Sequence, residues 1–182
     1  MERFEARKAS VKTAEVPAPR RSKSRRLKAA SKPEFSEKSR VFMYEMSELF
    51  CKILPRFSEL MDNDLSKLLI LQAVGAANVQ RLMASSQRGP YESIDVRIPP
   101  ELQVPSNALS IADATGLPRE TVRRKLKELL ASGFVVEDDR GGYRLKPGRL
   151  QVDDLQAIYY AYFKAMVEVM EACLEAKLID VE

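Results

Sequence analysis

Apolar residues recur at spacings of three and four along most of this chain, a pattern typical of amphipathic helices. The pattern predicts a helical segment over 36–61, stopped or kinked at Pro55, because proline removes a helix hydrogen bond. It predicts further helices over 62–83, 106–115 and 118–132. We therefore expect a mainly α fold.

Two shorter stretches have the character of β-strands. Over 93–98, Ile94, Val96 and Ile98 alternate with polar residues, which predicts a short strand. Residues 133–147 contain two strand-like runs around a Gly-rich turn, which predicts a hairpin. The fold class that follows is mainly α with a small β-wing.

A Gly-Leu-Pro sequence at 116–118 separates two of the predicted helices. Gly116 supplies the permissive backbone that ends the first helix, and Pro118 presets the dihedral angle for the first turn of the next. Ser106 is a suitable N-cap for the earlier helix. Two helices that meet at a sharp angle before a hairpin predict a winged helix-turn-helix, here over 62–150, with helices on either side.

The helix over 118–132, which we call the recognition helix, carries the strongest functional signal. Val122, Leu126 and Leu129 fall on one side at helical spacing and should anchor it on the core. The other side is suited to base edges in the major groove, since arginine matches guanine, a carboxylate accepts from cytosine and a threonine methyl meets thymine. The candidates for these contacts are Arg119, Glu120, Thr121, Arg123 and Arg124. Lys125 and Lys127 are expected to meet phosphates.

The predicted hairpin, which we call the wing, offers further cations to the DNA backbone or the minor groove. Lys146 is one, although Asp138 and Asp139 at the tip oppose this role because they would face phosphates. The remaining DNA-contact candidates outside the recognition helix are Ser106, Arg140 and Arg144.

These motifs resemble the DNA-binding domain of IclR-type bacterial regulators, and the part from Gly116 to Val135 is also similar to GntR-type regulators. The resemblance rests on Ile111, Ala112, Gly116, Leu117, Pro118, Arg119, Thr121, Val122, Arg124, Leu126, Leu129, Gly133, Phe134, Val135, Tyr143, Arg144 and Leu145. It implies a bacterial transcription factor with Arg119, Thr121 and two further arginines at recognition positions. The rest of the chain departs from both families, because its flanking helices resemble MarR-type organisation instead.

The positive charge of the chain lies in its first 40 residues. They carry 13 Lys/Arg and 5 Asp/Glu, whereas the remainder carries 17 and 21. Residues 1–35 hold few large apolar side chains, which predicts a disordered basic arm. The arm would either add sequence-independent affinity for phosphates or remain a solvated tail. Its basic cluster consists of Arg20, Arg21, Lys23, Arg25 and Arg26.

A long helix is predicted within 151–182. Its apolar residues form a heptad-like seam, and a second apolar stripe that includes Phe163 and Met170 lies beside it. We expect one stripe to pack on the N-terminal helices and the other on a second copy of the chain; the alternative is a helix buried within one chain. The seam residues assigned to dimerisation are Leu155, Tyr159, Tyr162, Met166, Val169 and Cys173.

The composition argues against most enzyme classes. The chain has no histidine and only two cysteines, which lack metal-ligand spacing, so we expect no enzyme, metal or cofactor. Cys51 and Cys173 are expected in the core of a protein from a reducing compartment. No apolar run is long enough for a membrane span, which predicts a cytoplasmic, nucleoid-associated protein. The predicted function is sequence-specific binding of double-stranded DNA as a homodimeric transcriptional regulator, with no effector identified; the alternative is a winged-helix adaptor that docks on a protein.

Overall fold

Five α-helices and four short β-strands make up the architecture of the computed structural model, which describes residues 26–149, 151 and 153–182. In chain order these are β1 (Leu27–Ala29), α1 (Lys32–Glu59), α2 (Leu65–Met83), α3 (Ala108–Thr115), α4 (Arg119–Ala131), β2 (Val135–Glu137), β3 (Tyr143–Leu145), α5 (Asp153–Glu175) and β4 (Ile179–Val181). Two short 3₁₀-helices, Ser86–Tyr91 and Pro100–Leu102, lie between α2 and α3. The prediction of a mainly α chain with a small β-hairpin is confirmed at this level.

Helix α1 begins before the predicted segment over 36–61 and ends just inside it, at Glu59. It begins at Lys32, where the Glu34 carboxylate accepts a 2.8 Å hydrogen bond from the backbone N–H of the N-cap Ser31. It continues through Pro55 to Glu59, so of the two predicted effects of Pro55, a stop or a kink, the stop is wrong. Pro55 lies on the exposed side of the helix, where water can satisfy the carbonyl that loses its donor.

Helices α1 and α5 are far apart in the sequence but pack against each other in antiparallel orientation. We call this helix pair the α1/α5 hairpin. The Lys38 ammonium, near the start of α1, donates to the Ala176 carbonyl just after α5 at 2.9 Å. At the other end of the hairpin, the Phe57 ring meets the Tyr159 ring edge to face, with centroids 5.2 Å apart. Between these points the two helices bury apolar side chains against each other, among them Leu49, Ile53, Val169 and Cys173.

A two-stranded sheet that the sequence did not predict closes the open end of this hairpin. β1 pairs antiparallel with β4, with Leu27 opposite Val181 and Ala29 opposite Ile179. Two expectations are therefore wrong. Residues 26–35, which were assigned to a disordered arm, form β1 and the start of α1. The last helix ends at Glu175 and does not extend through the rest of 151–182. Both strands are only three residues long and largely exposed, so they lack the alternation that marks a strand in a sequence.

The core between α2, α3, α4 and the wing is the best-buried part of the chain. α2 begins at its N-cap Asp64, whose side chain accepts from the backbone N–H groups of Ser66 and Lys67. Its buried side meets α3, α4 and β3, and β2 packs on α4. The fully buried members of this core are Ile70, Val74, Ile111, Val122, Leu126, Leu129 and Val135.

The predicted strand over 93–98 does not form. The segment consists of turns and bends followed by two residues without regular structure. Ile94 and Val96 are exposed, and hence the alternation did not reflect a buried sheet face. The position beside β3 is taken by Ser106, which exchanges two backbone hydrogen bonds with Tyr143, of 3.1 and 2.8 Å. Pro99, Pro100 and Pro105 leave the intervening chain few donors for a longer ladder.

No helix among the described residues is long and apolar enough to cross a membrane.

Candidate nucleic-acid interface

The turn between α3 and α4 has the local geometry that its residues favour. Gly116 follows α3 with a φ of 68°, in the left-handed region where a side chain would be strained. Pro118 is the N-cap of α4, which begins at Arg119. The N-cap of α3 is Asn107, whose side chain accepts from the Ser110 backbone N–H at 2.9 Å, so the assignment of Ser106 to this position is wrong.

Helix α4 separates its apolar and charged side chains as the pattern predicted. Val122, Leu126 and Leu129 have no exposed surface and fix the helix on the core. On the other side, Thr121 is half-buried, and the remaining predicted contact residues are exposed: Arg119, Glu120, Arg123, Arg124 and Lys127. The predicted recognition residues thus share one solvent-facing surface.

The cations of this surface differ in their partners. Arg119, Arg123 and Lys127 form no ion pair with the residues that the structure describes. Arg124 pairs with Glu128 at 3.0 Å, one helical turn further along. Both side chains remain partly exposed, so this pair is weak and can exchange for a phosphate or a base. Among the described residues, the surface therefore carries three cations without an ion-pair partner and a fourth, Arg124, that would have to leave Glu128 to bind DNA.

Lys125, expected at a phosphate, instead ties α4 to the start of α2. Its ammonium lies 2.6 Å from Asp64 and 3.0 Å from Glu128, and its side chain is largely buried. Lys67 joins the same cluster at 3.3 Å from Glu128. This prediction failed because helical spacing places Lys125 on the flank of α4, where the neighbouring α2 decides which groups it meets.

The charges of this cluster stabilise one another. Burial acts to raise the pKa of Asp64, but hydrogen bonds from Lys125 and from the Lys67 and Ser66 backbone outweigh it, so that pKa lies below its usual value. The hydrogen bond from Lys125 likewise lowers the pKa of Glu128. The hydrogen bond to Asp64 raises the pKa of Lys125. All three groups therefore remain charged at neutral pH and hold the orientation of α4.

The wing is organised around the Asp138 carboxylate. One oxygen accepts from the backbone N–H groups of Arg140 and Gly142 at 3.0 and 2.8 Å, and the other lies 3.2 Å from the Arg144 guanidinium. The Gly142 hydrogen bond is the main reason that the pKa of Asp138 is lowered. Of the three predicted wing cations, Arg140 at the tip and Lys146 are exposed, whereas Arg144 is half-buried and bound to Asp138. Asp138 thus shapes the turn instead of facing outward.

A close contact at Gly142 holds the wing against the segment before α3. A Cβ atom at this position would lie 2.7 Å from Cβ of Pro105 and 3.0 Å from the Asp138 carboxylate. A side chain at 142 would therefore push the wing away from Pro105. Gly142 is one of two consecutive turn glycines, and the sequence did not indicate which one had this role.

Asn78 is a positioning residue that sequence reasoning missed. Its buried amide donates to the carbonyls of Val104 and Tyr143 at 2.8 and 3.3 Å and accepts from the Leu145 backbone N–H at 2.9 Å. These bonds join α2 to β3 and to the segment before α3. The available signal was a polar residue four positions after Val74, on the apolar side of a helix, where an amide needs partners.

Two other predicted DNA-contact sites lie away from the α4 surface. Ser106 is buried, with 8% of its surface exposed, and its backbone pairs with Tyr143 inside the sheet, so its predicted contact is wrong. Arg26 is exposed, and its backbone exchanges two 2.9 Å hydrogen bonds with Glu182 beyond the end of β4. α1, which is 28 residues long and spans ~42 Å, separates this end of the hairpin from α2. The other arm residues lie outside the described residues: Arg20, Arg21, Lys23 and Arg25.

The seam assigned to dimerisation packs within the chain. Val169 and Cys173 are buried against α1, and the Phe57 ring contacts both Tyr159 and Tyr162. Leu155 and Met166 are partly buried in the same core. Five of the six residues therefore pack in the core of their own chain, whereas Tyr162 keeps 38% of its surface exposed. Heptad spacing does not distinguish a partner helix of the same chain from one of a second copy, and the assignment of the seam to dimerisation stays a prediction.

The described residues contain no cluster of acidic and cysteine side chains that could hold a metal ion. Cys173 is buried, as expected, and burial raises the pKa of its thiol. Cys51 is exposed, so its assignment to the core is wrong.

No protein-family model, curated protein or solved structure matches this chain.

Proposed function

We propose that this protein binds double-stranded DNA in a sequence-dependent manner through the exposed side of α4, as a homodimeric transcriptional regulator. In this proposal, α2 to β3 form a winged helix-turn-helix unit. α4 is the recognition helix in the major groove, and the tip of the wing contacts the backbone.

The observation that carries the proposal is the set of exposed cations on one side of a rigidly seated helix. Arg119 and Arg123 lie in the first two turns of α4, where a recognition helix meets base edges. The opposite side of α4 is fully buried, and the cluster around Lys125 fixes its orientation. The backbone of a helix held in this way has little freedom to lose on binding to DNA.

The proposal assigns different tasks to cations at different positions. Arg123 contacts bases, since its planar guanidinium can donate twice to guanine. Lys127, a turn further along, contacts phosphate and adds affinity without sequence preference. Arg140 at the wing tip adds a second backbone contact, on a turn that Asp138 holds in place.

The test measures binding to duplexes selected from a random pool, using fluorescence anisotropy with the full-length protein. Arg123→Ala is expected to weaken binding to the selected duplex by ~1–3 kcal/mol while leaving binding to random duplex nearly unchanged. Lys127→Ala is expected to weaken both by a similar factor and to reduce the salt dependence by about one counterion.

Lys32→Ala is the matched control, because it removes an exposed cation at the far end of the hairpin. Retention of full sequence preference by Arg123→Ala and Arg119→Ala would exclude α4 as the recognition helix. Failure of the wild-type protein to retain any duplex at moderate salt would refute the proposal and favour docking on a protein instead.

A further inference from the structure

One flank of the α1/α5 hairpin is apolar and faces water. Its most exposed members are Met43 and Phe50 on α1 and Tyr160 and Phe163 on α5, with 64%, 57%, 66% and 63% of their surface exposed. Leu54, Val167 and Met170 complete the set and are each more than a third exposed. We call these seven residues the hairpin face.

The contributions of the two helices lie on the same side of the hairpin. At about 100° per residue, Lys52 lies nearly opposite Phe50 on α1, and Glu168 lies nearly opposite Met170 on α5. Lys52 and Glu168 approach each other to 3.8 Å across the hairpin, so these two polar flanks are neighbours. The apolar flanks must then adjoin on the other side and form one continuous surface.

We propose that the hairpin face is the surface through which two copies of this chain associate, α1 of each copy packing on α5 of the other in a four-helix arrangement. This inference deepens the proposed function, on which it rests for its biological purpose, because a dimer places two recognition helices on one duplex. The interface differs from the predicted heptad seam, whose residues are used within each chain.

The size of the face fits a second copy. An aromatic side chain buries roughly 150–250 Å² when fully covered, so the three exposed aromatic residues alone offer roughly 300–450 Å². With Leu54, Val167 and the two methionines, the face reaches the upper end of the range for the largest apolar patch of a typical monomer, roughly 300–600 Å². It approaches the ~800 Å² per partner of a standard interface.

The charges beside the face also fit a second copy. Arg40 lies on the edge of α1 and Glu171 on the edge of α5, at similar heights along the hairpin because Lys38 contacts Ala176. With α1 packed on the α5 of a second copy, Arg40 of each chain lies near Glu171 of the other. A membrane surface would instead require a mainly basic border. The polar side of α5 carries one lysine, Lys164, against three glutamates: Glu168, Glu171 and Glu175.

The experiment is sedimentation equilibrium of the full-length protein, without DNA, from 1 to ~100 μM, a range that covers typical transient and stable dimers. We expect the wild type to form a dimer. Phe163→Lys and Phe50→Lys should each weaken the dimer at least ~30-fold in Kd, as expected for a central aromatic residue. Val41→Lys is the matched control, because Val41 is exposed on the polar flank of α1 and its loss should leave the dimer intact.

Charge exchange tests the pairing of the helices. Arg40→Glu should weaken the dimer through repulsion from Glu171, and adding Glu171→Arg should restore it. A wild type that remains monomeric at 100 μM would overturn the proposal, as would dimers that persist in both lysine variants of the face. A dimer that appears only when residues 1–25 are removed would also overturn it, because that segment would then occupy the face.

A spin label on Cys51 reports the distance between two copies of the chain, and a change in folding stability would not produce the same signal. Cys51 is exposed beside the hairpin face, while the only other cysteine is buried, so a nitroxide label should attach at one position. Dipolar coupling between two labels should be present in the wild type and in Val41→Lys and absent in Phe163→Lys. Uncoupled labels in a protein that sediments as a dimer would place the contact elsewhere.

The failure of this inference can be told apart from the failure of the proposed function. A monomeric Phe163→Lys should bind a duplex with one half-site as the wild type does and lose only the added affinity for two half-sites. Dimerisation without any DNA binding would refute the proposed function alone. DNA binding with dimers that persist in both Phe163→Lys and Phe50→Lys would refute this inference alone.

Discussion

The unit from α2 to β3 and the α1/α5 hairpin differ in how completely they bury their apolar side chains. In the first, the core residues of α4 have no exposed surface, and the buried Asn78 has three hydrogen-bond partners. In the second, Phe163 and other large apolar side chains remain largely in water, and the interhelical ion pair between Lys52 and Glu168 is exposed. The first unit therefore satisfies its own packing, whereas the hairpin leaves an apolar surface that the described residues do not cover.

The largest expected effect on stability is in the unit from α2 to β3. Asn78→Ala removes the partners of the Leu145 N–H and of the Val104 carbonyl, which remain buried. We expect the free energy of unfolding to fall by about 2–4 kcal/mol, measured by urea denaturation. Gln80→Ala, an exposed change two residues further along α2, should have almost no effect. Equal effects of the two substitutions would show that the amide does not hold the wing to α2.

A smaller effect is expected where α2 begins. Asp64→Ala removes both the N-cap of α2 and the partner of Lys125, so we expect a loss of about 1–2 kcal/mol in the free energy of unfolding. The measurement is thermal unfolding at pH 7, with Asp62→Asn as the control. Asp62 has a φ of 54°, which asparagine tolerates as aspartate does, so this change removes only the charge that pairs with Lys67.

The same residue predicts a pH dependence. The pKa of Asp64 is lowered by folding, so its contribution is full above its ordinary pKa of 3.8 and is lost as the pH falls through the lower value of the folded protein. The difference in Tm between the wild type and Asp64→Ala should therefore narrow in acid. A difference that stayed constant from pH 7 to pH 2 would assign the whole effect to something other than the carboxylate charge.

The smallest effect is expected at the hairpin. Lys52→Ala breaks the ion pair with Glu168, which is 3.8 Å long and has both side chains more than half exposed. The Tm should not change measurably, because such surface pairs contribute little. A clear loss of stability would mean that the polar flank contributes to hairpin stability and would weaken the contrast between the two regions.

Local rules were sufficient to predict the elements that carry the candidate site. Gly116 and Pro118 fixed the turn, and the spacing of Val122, Leu126 and Leu129 fixed the exposed side of α4. The same rules predicted the two strands of the wing, because their apolar runs adjoin a glycine-rich turn.

The failures have a common cause in tertiary contacts. Lys125 pairs with Asp64, and Ser106 pairs with Tyr143, through neighbours that are distant in sequence. The segment 93–98 alternates in hydrophobicity but lacks a strand beside it. The heptad seam of α5 was recognised, but its partner, α1 of the same chain, could be identified only from the fold.

The pairing of β1 with β4 determines how the molecule would respond to mechanical force. Residues 26 and 182 are bonded neighbours at one end of this ladder, so pulling them apart would load its hydrogen bonds one pair at a time. The load would next reach Lys32 and Glu175, which lie at the same end of the antiparallel hairpin, and α1 would peel from α5. The unit that holds α4 would be the last to experience the force, so a stretched molecule would lose the hairpin face before its candidate DNA-binding surface.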